Sequence, residues 1–480
     1  MELSTSSLLH LFICLLLLGN YGSMAQTRWE RHSQCRVEKL NALHPTGRVQ
    51  SEAGVTEFFD EKSDELRCAG VSAYRRIINR RGLLLPHFSN APRLVYVIEG
   101  RGVAGYVIPG CPESFQIFDW RGTRREKFHG QGQSFSDQHQ RLHRFRQGDI
   151  IAIPAGIAFW AFNDGESTLV TITVADTSSN VNQLDDNHRQ FQLAGSQRGA
   201  GVGKPERTSF FDAFSTDMLA WTLGISRELA QKIQREDRRG EIVAVKEDLE
   251  LVWPYSRKGE EGESRGSREE EEEEEERERR REEEWERERR GNGLEQLFCS
   301  LRFIENIDNP IHADVFNPFA GRLNQITSHK LPALHFVQLS AVRVVLQKRA
   351  SMAPHWNLNA HSLVYVTRGR ARVQVVDDRG KAVFDGQLEQ GQLLLIPQNF
   401  AVLKRADDDG FEYIAFKTSE NAIASQVFGK GSIFRGLPEH VVGTAYRLQR
   451  EEARKIKFAR ADEVAIFADS SMQPQPMPVA

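Results

Sequence analysis

Cysteine is scarce in this chain, five in 480 residues, and the spacing is too wide and irregular for a zinc motif. Other absences exclude more. No Gly-x-Ser-x-Gly, His-Glu-x-x-His or phosphate-cradling loop occurs, so the common hydrolase, metalloprotease and nucleotide-binding signatures are missing. There is no Asn-x-Ser/Thr acceptor, so N-glycosylation is not expected. The formal net charge is only -3, which gives no electrostatic reason to expect nucleic acid or stable membrane association. No segment beyond the N-terminus reads as transmembrane.

The one strongly apolar run, residues 8–18, is too short to span a bilayer. Ser23-Met24-Ala25 follows it, the small-x-small ending of a secretory signal, which predicts cleavage with Gln26 as the new N-terminus; a buried N-terminal helix is the alternative. The only charge ahead of that run is Glu2, where a basic residue is usual. Removing residues 1–25 takes Cys14 away and leaves Cys35, Cys68, Cys111 and Cys299. An even set in a secreted chain favours disulfides, with three pairings open.

What the chain does contain is a duplication. Leu94-Val95-Tyr96-Val97-Ile98-Glu99-Gly100 is followed by Gln147-Gly148-Asp149 and an apolar strand ending at Pro154. Leu363-Val364-Tyr365-Val366-Thr367-Arg368-Gly369 is followed by Gln390-Gly391-Gln392 and an apolar strand ending at Pro397. Around these motifs, residues 71–175 and about 340–417 alternate apolar and polar residues between Gly and Pro punctuation. That predicts an all-β chain of two tandem barrels. Gly100-x-Gly102 opens no crossover helix and reads as a hairpin turn, not a dinucleotide site.

Each β region leads into a helical segment, 211–233 in one copy and 434–456 in the other. Ser215 suits the first helix as a cap and Pro438 the opening turn of its counterpart. Met218, Leu219, Ile225, Leu229 and Ile233 recur at helical spacing, so that face should be covered, by the chain's own barrel or by a neighbouring subunit. Between the copies, residues 259–291 are nearly all Glu, Arg, Gly and Ser, including eight consecutive glutamates. Such a tract buries too little apolar surface to offset ordering entropy and should be a solvated, mobile loop. It ends at Asn292-Gly293, an open site for an Asn-directed endoprotease, six residues before Cys299. Residues 293–480 carry 22 Lys/Arg against 19 Asp/Glu, a net +3, which leaves -6 for residues 1–292. The two products would differ in sign.

An inward set of three histidines and a carboxylate would make either barrel a metal enzyme. The approach to the first motif offers His87, Ser89 and Arg93; the approach to the second offers His355, Asn357 and Ser362. The downstream strands add Phe159 and Val402 and no histidine. No His-x-His pair occurs in either approach, so both histidines read as structural. His129, His139 and His143 read as a loose group in a surface loop.

Together the duplicated strands, the order of the cysteines and the Asn292-Gly293…Cys299 junction resemble the bicupin seed storage globulins, specifically the legumin-type (11S) precursors. One departure is Gln296, where the family usually has a second Glu. The resemblance implies two jelly-roll cupin barrels, each with a small helical extension. The expected organisation is a signal at 1–25, a first cupin with its extension (the acidic chain) at 26–255, a Glu/Arg-rich loop at 256–292, and a second cupin with its extension (the basic chain) at 293–480. It pairs Cys35 with Cys68 and Cys111 with Cys299. It also implies trimers in the endoplasmic reticulum, cutting after Asn292 by an asparaginyl endopeptidase, and hexamers of like or related subunits in seed protein storage vacuoles. Ser89, Arg93 and Phe159, and Asn357, Ser362 and Val402, stand where cupin enzymes carry metal ligands; only His87 and His355 match. The resemblance therefore implies no metal, no cofactor and no catalysis. Storage, mobilisation at germination and allergenicity, with linear epitopes in the charged loop, are its functional content. The competing expectations are a germin-type metal enzyme and a secreted cupin that binds a small ligand in an apolar barrel.

Overall fold

The computed structural model describes residues 35, 37–111, 139–196, 208–235, 239–247, 249, 251 and 299–469. The signal segment, the Glu/Arg tract, Asn292-Gly293 and His129 lie outside these residues.

β-branched and aromatic residues fill the strands of both modules, as a half-buried pleated surface favours. In the first module a seven-stranded antiparallel sheet runs Gly47–Ser51, Gly54–Phe58, Val71–Ile78, Leu169–Asp176, Arg93–Glu99, Asp149–Ile153 and Ile304–Asn306. It faces a six-stranded sheet built on Gly82–Ser89, Ala158–Phe162 and Arg101–Val107. The second module is a single ten-stranded sheet wrapped on itself, because Ser362–Val376 and Ala401–Lys417 pair along most of their length. Both modules begin earlier than the alternating pattern marks: strands at Gly47–Phe58 and Val315–Ile326 precede the expected starts.

The glycine-ended motifs are corners and not hairpins. Arg93–Glu99 lies in one sheet and Arg101–Val107 in the other, joined through Gly100 at φ 89°. Gly369, at φ 72°, turns the equivalent corner within a continuous strand. A Cβ at Gly369 would lie 2.2 Å from the Gly410 carbonyl oxygen, so the close approach requires glycine. A strand changing sheets through one glycine has the same local sequence as a tight turn, which is why the pattern misled.

The modules exchange their ends. Ile304–Asn306, beyond the expected cut, adds a strand to the first barrel, and the Phe303 carbonyl accepts from the Ala152 amide at 2.8 Å. Conversely the Leu40 amide donates to the Val383 carbonyl, and Leu43 bridges Leu393 of the second barrel. The repeated tyrosines face this junction. Tyr96 donates to Asp308 at 2.7 Å, which also accepts from Arg343 at 2.7 Å. Tyr365 meets Phe59 edge-on. Against the opposing effect of burial, it also helps Glu57 raise the pKa of Arg75, which donates to that carboxylate at 2.7 Å. One continuous apolar core runs through both barrels.

Cys35 is bonded to Cys68 and Cys111 to Cys299, with Cα–Cα separations of 4.4 and 5.4 Å. The helical segments form helix pairs, Thr216–Leu223 with Arg227–Gln234 and Glu439–Tyr446 with Arg450–Lys457. Ser215 occupies the cap position but its side chain makes no capping bond, and Pro438 sits at the cap itself. The first pair's apolar stripe is largely uncovered within one chain. Leu219 is buried, whereas Met218 is 67% and Trp221 84% exposed. The stripe expected over Met218–Ile233 is not one helical face: Gly224, left-handed at the end of the first helix, leaves Ile225 in the turn before the second. His143, expected in a loop, lies on Leu142–Arg146 with its ring edge-on to Tyr106 at 5.3 Å. Burial pushes its pKa down to about 3.

Candidate functional site

Both barrels aim a histidine inward by the same device. In Gly82–Ser89 the register shifts between Leu84 and His87, across Pro86; in Ser351–Asn357 it shifts between Met352 and His355, across Pro354. Proline cannot donate to the ladder, so a bulge forms and re-aims the next side chain. His87 lands opposite Phe159 and His355 opposite Val402. The structure therefore brings the upstream histidine and the downstream strand position of each set together.

In the first barrel His87 is fully buried and its Nδ1 faces the Leu85 carbonyl at 2.9 Å. That fixes the proton on Nδ1 and leaves Nε2 to accept from Arg93 Nη1 at 2.7 Å. Burial, then the charges of Arg93 and Arg76, holds His87 well below the ordinary histidine pKa. The nitrogen that would bind a metal is thus occupied by a cation. Ser89 Oγ accepts from the Ala91 amide at 3.1 Å, and Phe159 stands edge-on to the imidazole at 6.2 Å. Neither is a ligand facing an open coordination position.

Several residues the sequence reading passed over share this interior. Arg76 pairs with buried Glu241 at 3.2 Å, and Gln190 donates to the same carboxylate at 3.0 Å. Burial lowers the pKa of Arg93, partly offset by Tyr74, while Arg76 lowers it further; Tyr106 also acts on it. In Val71–Ile78, Ser72, Tyr74 and Arg76 alternate on one face opposite Ala175, Thr173 and Thr171, a spacing that groups them without declaring which side is interior. Charged and phenolic residues at period-two spacing are ordinarily assigned to solvent, and here the face is interior.

In the second barrel His355 Nδ1 faces the Ala353 carbonyl at 2.8 Å. Lys417 donates to Asn357 Oδ1 at 2.8 Å and to Ser362 Oγ at 2.9 Å. Lys404, two residues beyond Val402 and on the same face, sits over the Tyr413 ring with Nζ 5.1 Å from its centre. Burial lowers the Lys417 pKa to about 7; burial and then Lys417 hold Lys404 well below the ordinary range. Two amines stand beside the single imidazole, where a metal enzyme would need three histidines and a carboxylate. Among the described residues no group of three or more His, Cys, Asp or Glu could hold a metal ion. The donor set in either barrel does not fit the metal of a cupin enzyme, because fixed or incipient positive charge occupies the place of the cation.

The cupin family profile matches residues 40–199 and 305–454. Cocosin 1 of Cocos nucifera is 47% identical over 97% of this chain and 98% of its own. Glutelin type-A 1 of Oryza sativa subsp. japonica is 45% identical over 95% of this chain and 94% of its own. The crystal structure of the coconut allergen cocosin superposes with a TM-score of 0.76 at 47% identity, covering 91% of this chain and all of that one. Procruciferin, an 11S globulin from Brassica napus, gives a TM-score of 0.77 at 36% identity, covering 91% and 99%.

Proposed function

The chain belongs to the 11S seed storage globulins of the cupin family, and from that premise we propose that it is a nutrient reservoir and not an enzyme. The observation that carries this reading is the placement of cationic side chains beside the lone histidine of each barrel, in a chain that its relatives match over nearly its whole length. Arg93 in one barrel, and Lys404 with Lys417 in the other, occupy the ground on which cupin metal chemistry depends. Storage needs a compact, protease-resistant body and no reacting atoms.

The route follows from the same premise. The precursor enters the secretory pathway, loses residues 1–25, folds in the endoplasmic reticulum and reaches the storage vacuole. There an asparaginyl endopeptidase cuts between Asn292 and Gly293, leaving Cys111–Cys299 as the bond between the two products. Precursor trimers stack into mature hexamers. The exposed helix pairs support assembly, since Met218, Trp221, Val441 and Tyr446 present apolar surface with no cover in one chain. The coconut relative is an allergen, and this chain is proposed as one too.

The test is electrophoresis of seed-derived protein, first non-reduced and then reduced. The expected result is one linked species that separates into two on reduction, with Gly293 as a new N-terminus. A single band under both conditions would overturn the processing scheme.

A further inference from the structure

The guanidinium of Arg93 is 1% exposed and permanently charged. Its Nη1 faces His87, whereas Nε and Nη2 make no well-aligned hydrogen bond among the described residues; the Tyr74 hydroxyl, itself buried without an aligned partner, is the polar group that acts most strongly on Arg93. Those two nitrogens carry the parallel N–H bonds on one edge of the guanidinium, the fork that matches a planar carboxylate in bidentate fashion. Nearby polar atoms are left over as well. The Tyr106 hydroxyl and Arg76 Nε are buried without a partner, and both residues act on the ionisation of Arg93. These are donors. Gln192, opposite His87 in the strand register, leaves both ends of its amide unmatched. Native interiors rarely leave such atoms unsatisfied without a bound water or ion.

The charge count points the same way. Arg76 is neutralised by Glu241 at 3.2 Å, and His87 is held neutral by burial and by its bond to Arg93. Among the described residues Arg93 keeps one uncompensated positive charge inside the barrel. The second barrel differs in kind, because its lysines can shed their protons and Lys417 already has two oxygen partners.

We propose that the first barrel binds one small carboxylate on the open Nε/Nη2 edge of Arg93, with Tyr106 as an additional donor. The former metal site of the fold has become an anion site, a property independent of whether the chain stores nitrogen.

Full-length protein freed of small anions by exhaustive dialysis is tested by equilibrium dialysis against radiolabelled formate and acetate. Saturable uptake of one anion per chain is the expected result. Arg93→Met removes the fork and should weaken uptake at least tenfold; Arg93→Lys keeps the charge but loses the fork and should also weaken it at least tenfold. Tyr106→Phe should cost several-fold in affinity. Absence of saturable uptake of both anions by the wild-type protein overturns the site, as does unchanged affinity in Arg93→Met or Arg93→Lys. Should Arg93→Met fail to fold, Arg93→Lys and Tyr106→Phe decide the question. Gel processing and Gly293 exposure are unaffected by either result.

Discussion

Lys417 holds its ammonium between Asn357 and Ser362, deep in a barrel that also buries His355, Lys404 and Tyr413. Burial lowers its pKa to about 7 in the folded chain, against 10.5 for the ordinary group. Between those values the unfolded chain binds the extra proton and the folded chain does not, so stability contributed by this site rises with pH. Below about pH 7 both states are protonated and the full cost of a buried charge is carried. Lys417→Met should therefore be most favourable relative to wild type below pH 7. Its advantage should shrink by up to about 1.4 kcal/mol per pH unit as pH rises from 7 toward 10. Urea denaturation midpoints of both proteins across that range measure it; a pH-independent difference would contradict the assignment. The site positions themselves were legible. His87 and His355 could be read as lone histidines because each lacks a His-x-His neighbour. Arg76, Tyr74, Lys404 and Lys417 were not legible, since a polar residue in a strand declares its face only once the sheet has closed.

The helix pair Thr216–Leu223 and Arg227–Gln234 buries little more than Leu219 and Ala230, leaving Trp221, Leu223 and Leu229 exposed. Its counterpart, Glu439–Tyr446 with Arg450–Lys457, gathers Phe434, Val442 and Ala453 into a small core of its own. Helices this short depend on tertiary contact and not on propensity. Trp221→Asp should leave the stability of the single subunit within about 0.5 kcal/mol, because the side chain is solvated there. If the proposed trimer forms through this face, the substitution should nevertheless abolish it, since a charge would be buried at the contact. Sedimentation velocity of the unprocessed protein reads both outcomes: a folded monomer is expected, and an intact trimer would place the interface elsewhere. Helical character was legible from the 3.6-residue period, but the expected single face was not found, because Gly224 ends the first helix and leaves Ile225 in the turn before the second. The corner at Gly100 was not legible, because a turn and a strand crossing between sheets both call for glycine at positive φ.

At the scale of the whole molecule, the two halves are clasped by more than Cys111–Cys299. Residues 303–306 complete the first barrel, with Phe303 stacked on Tyr106 at a centroid distance of 5.0 Å. Leu40 and Leu43, on the other side of the expected cut, complete the second. Phe303 and Leu40 are almost fully buried, and full burial of such side chains is worth roughly 1.5–3 kcal/mol each. Cleaved protein treated with reductant under native conditions should therefore elute as one particle in size exclusion. The two chains should part only with added denaturant. Separation by reductant alone would show that the exchanged ends do not hold.

The linear order of residues determined the duplication and the all-β class, because each rests on local periodicity or on which residue types occur. The tertiary structure decided which cysteines lie within bonding distance and which termini cross between modules. It also decided which polar faces turn inward. These depend on contacts between residues far apart in the chain, as with Cys111 and Cys299, separated by 188 positions. The interior charge of the barrels belongs to the second group. A strand alternates two faces whatever its surroundings, and only closure of the sheet makes one of them the inside.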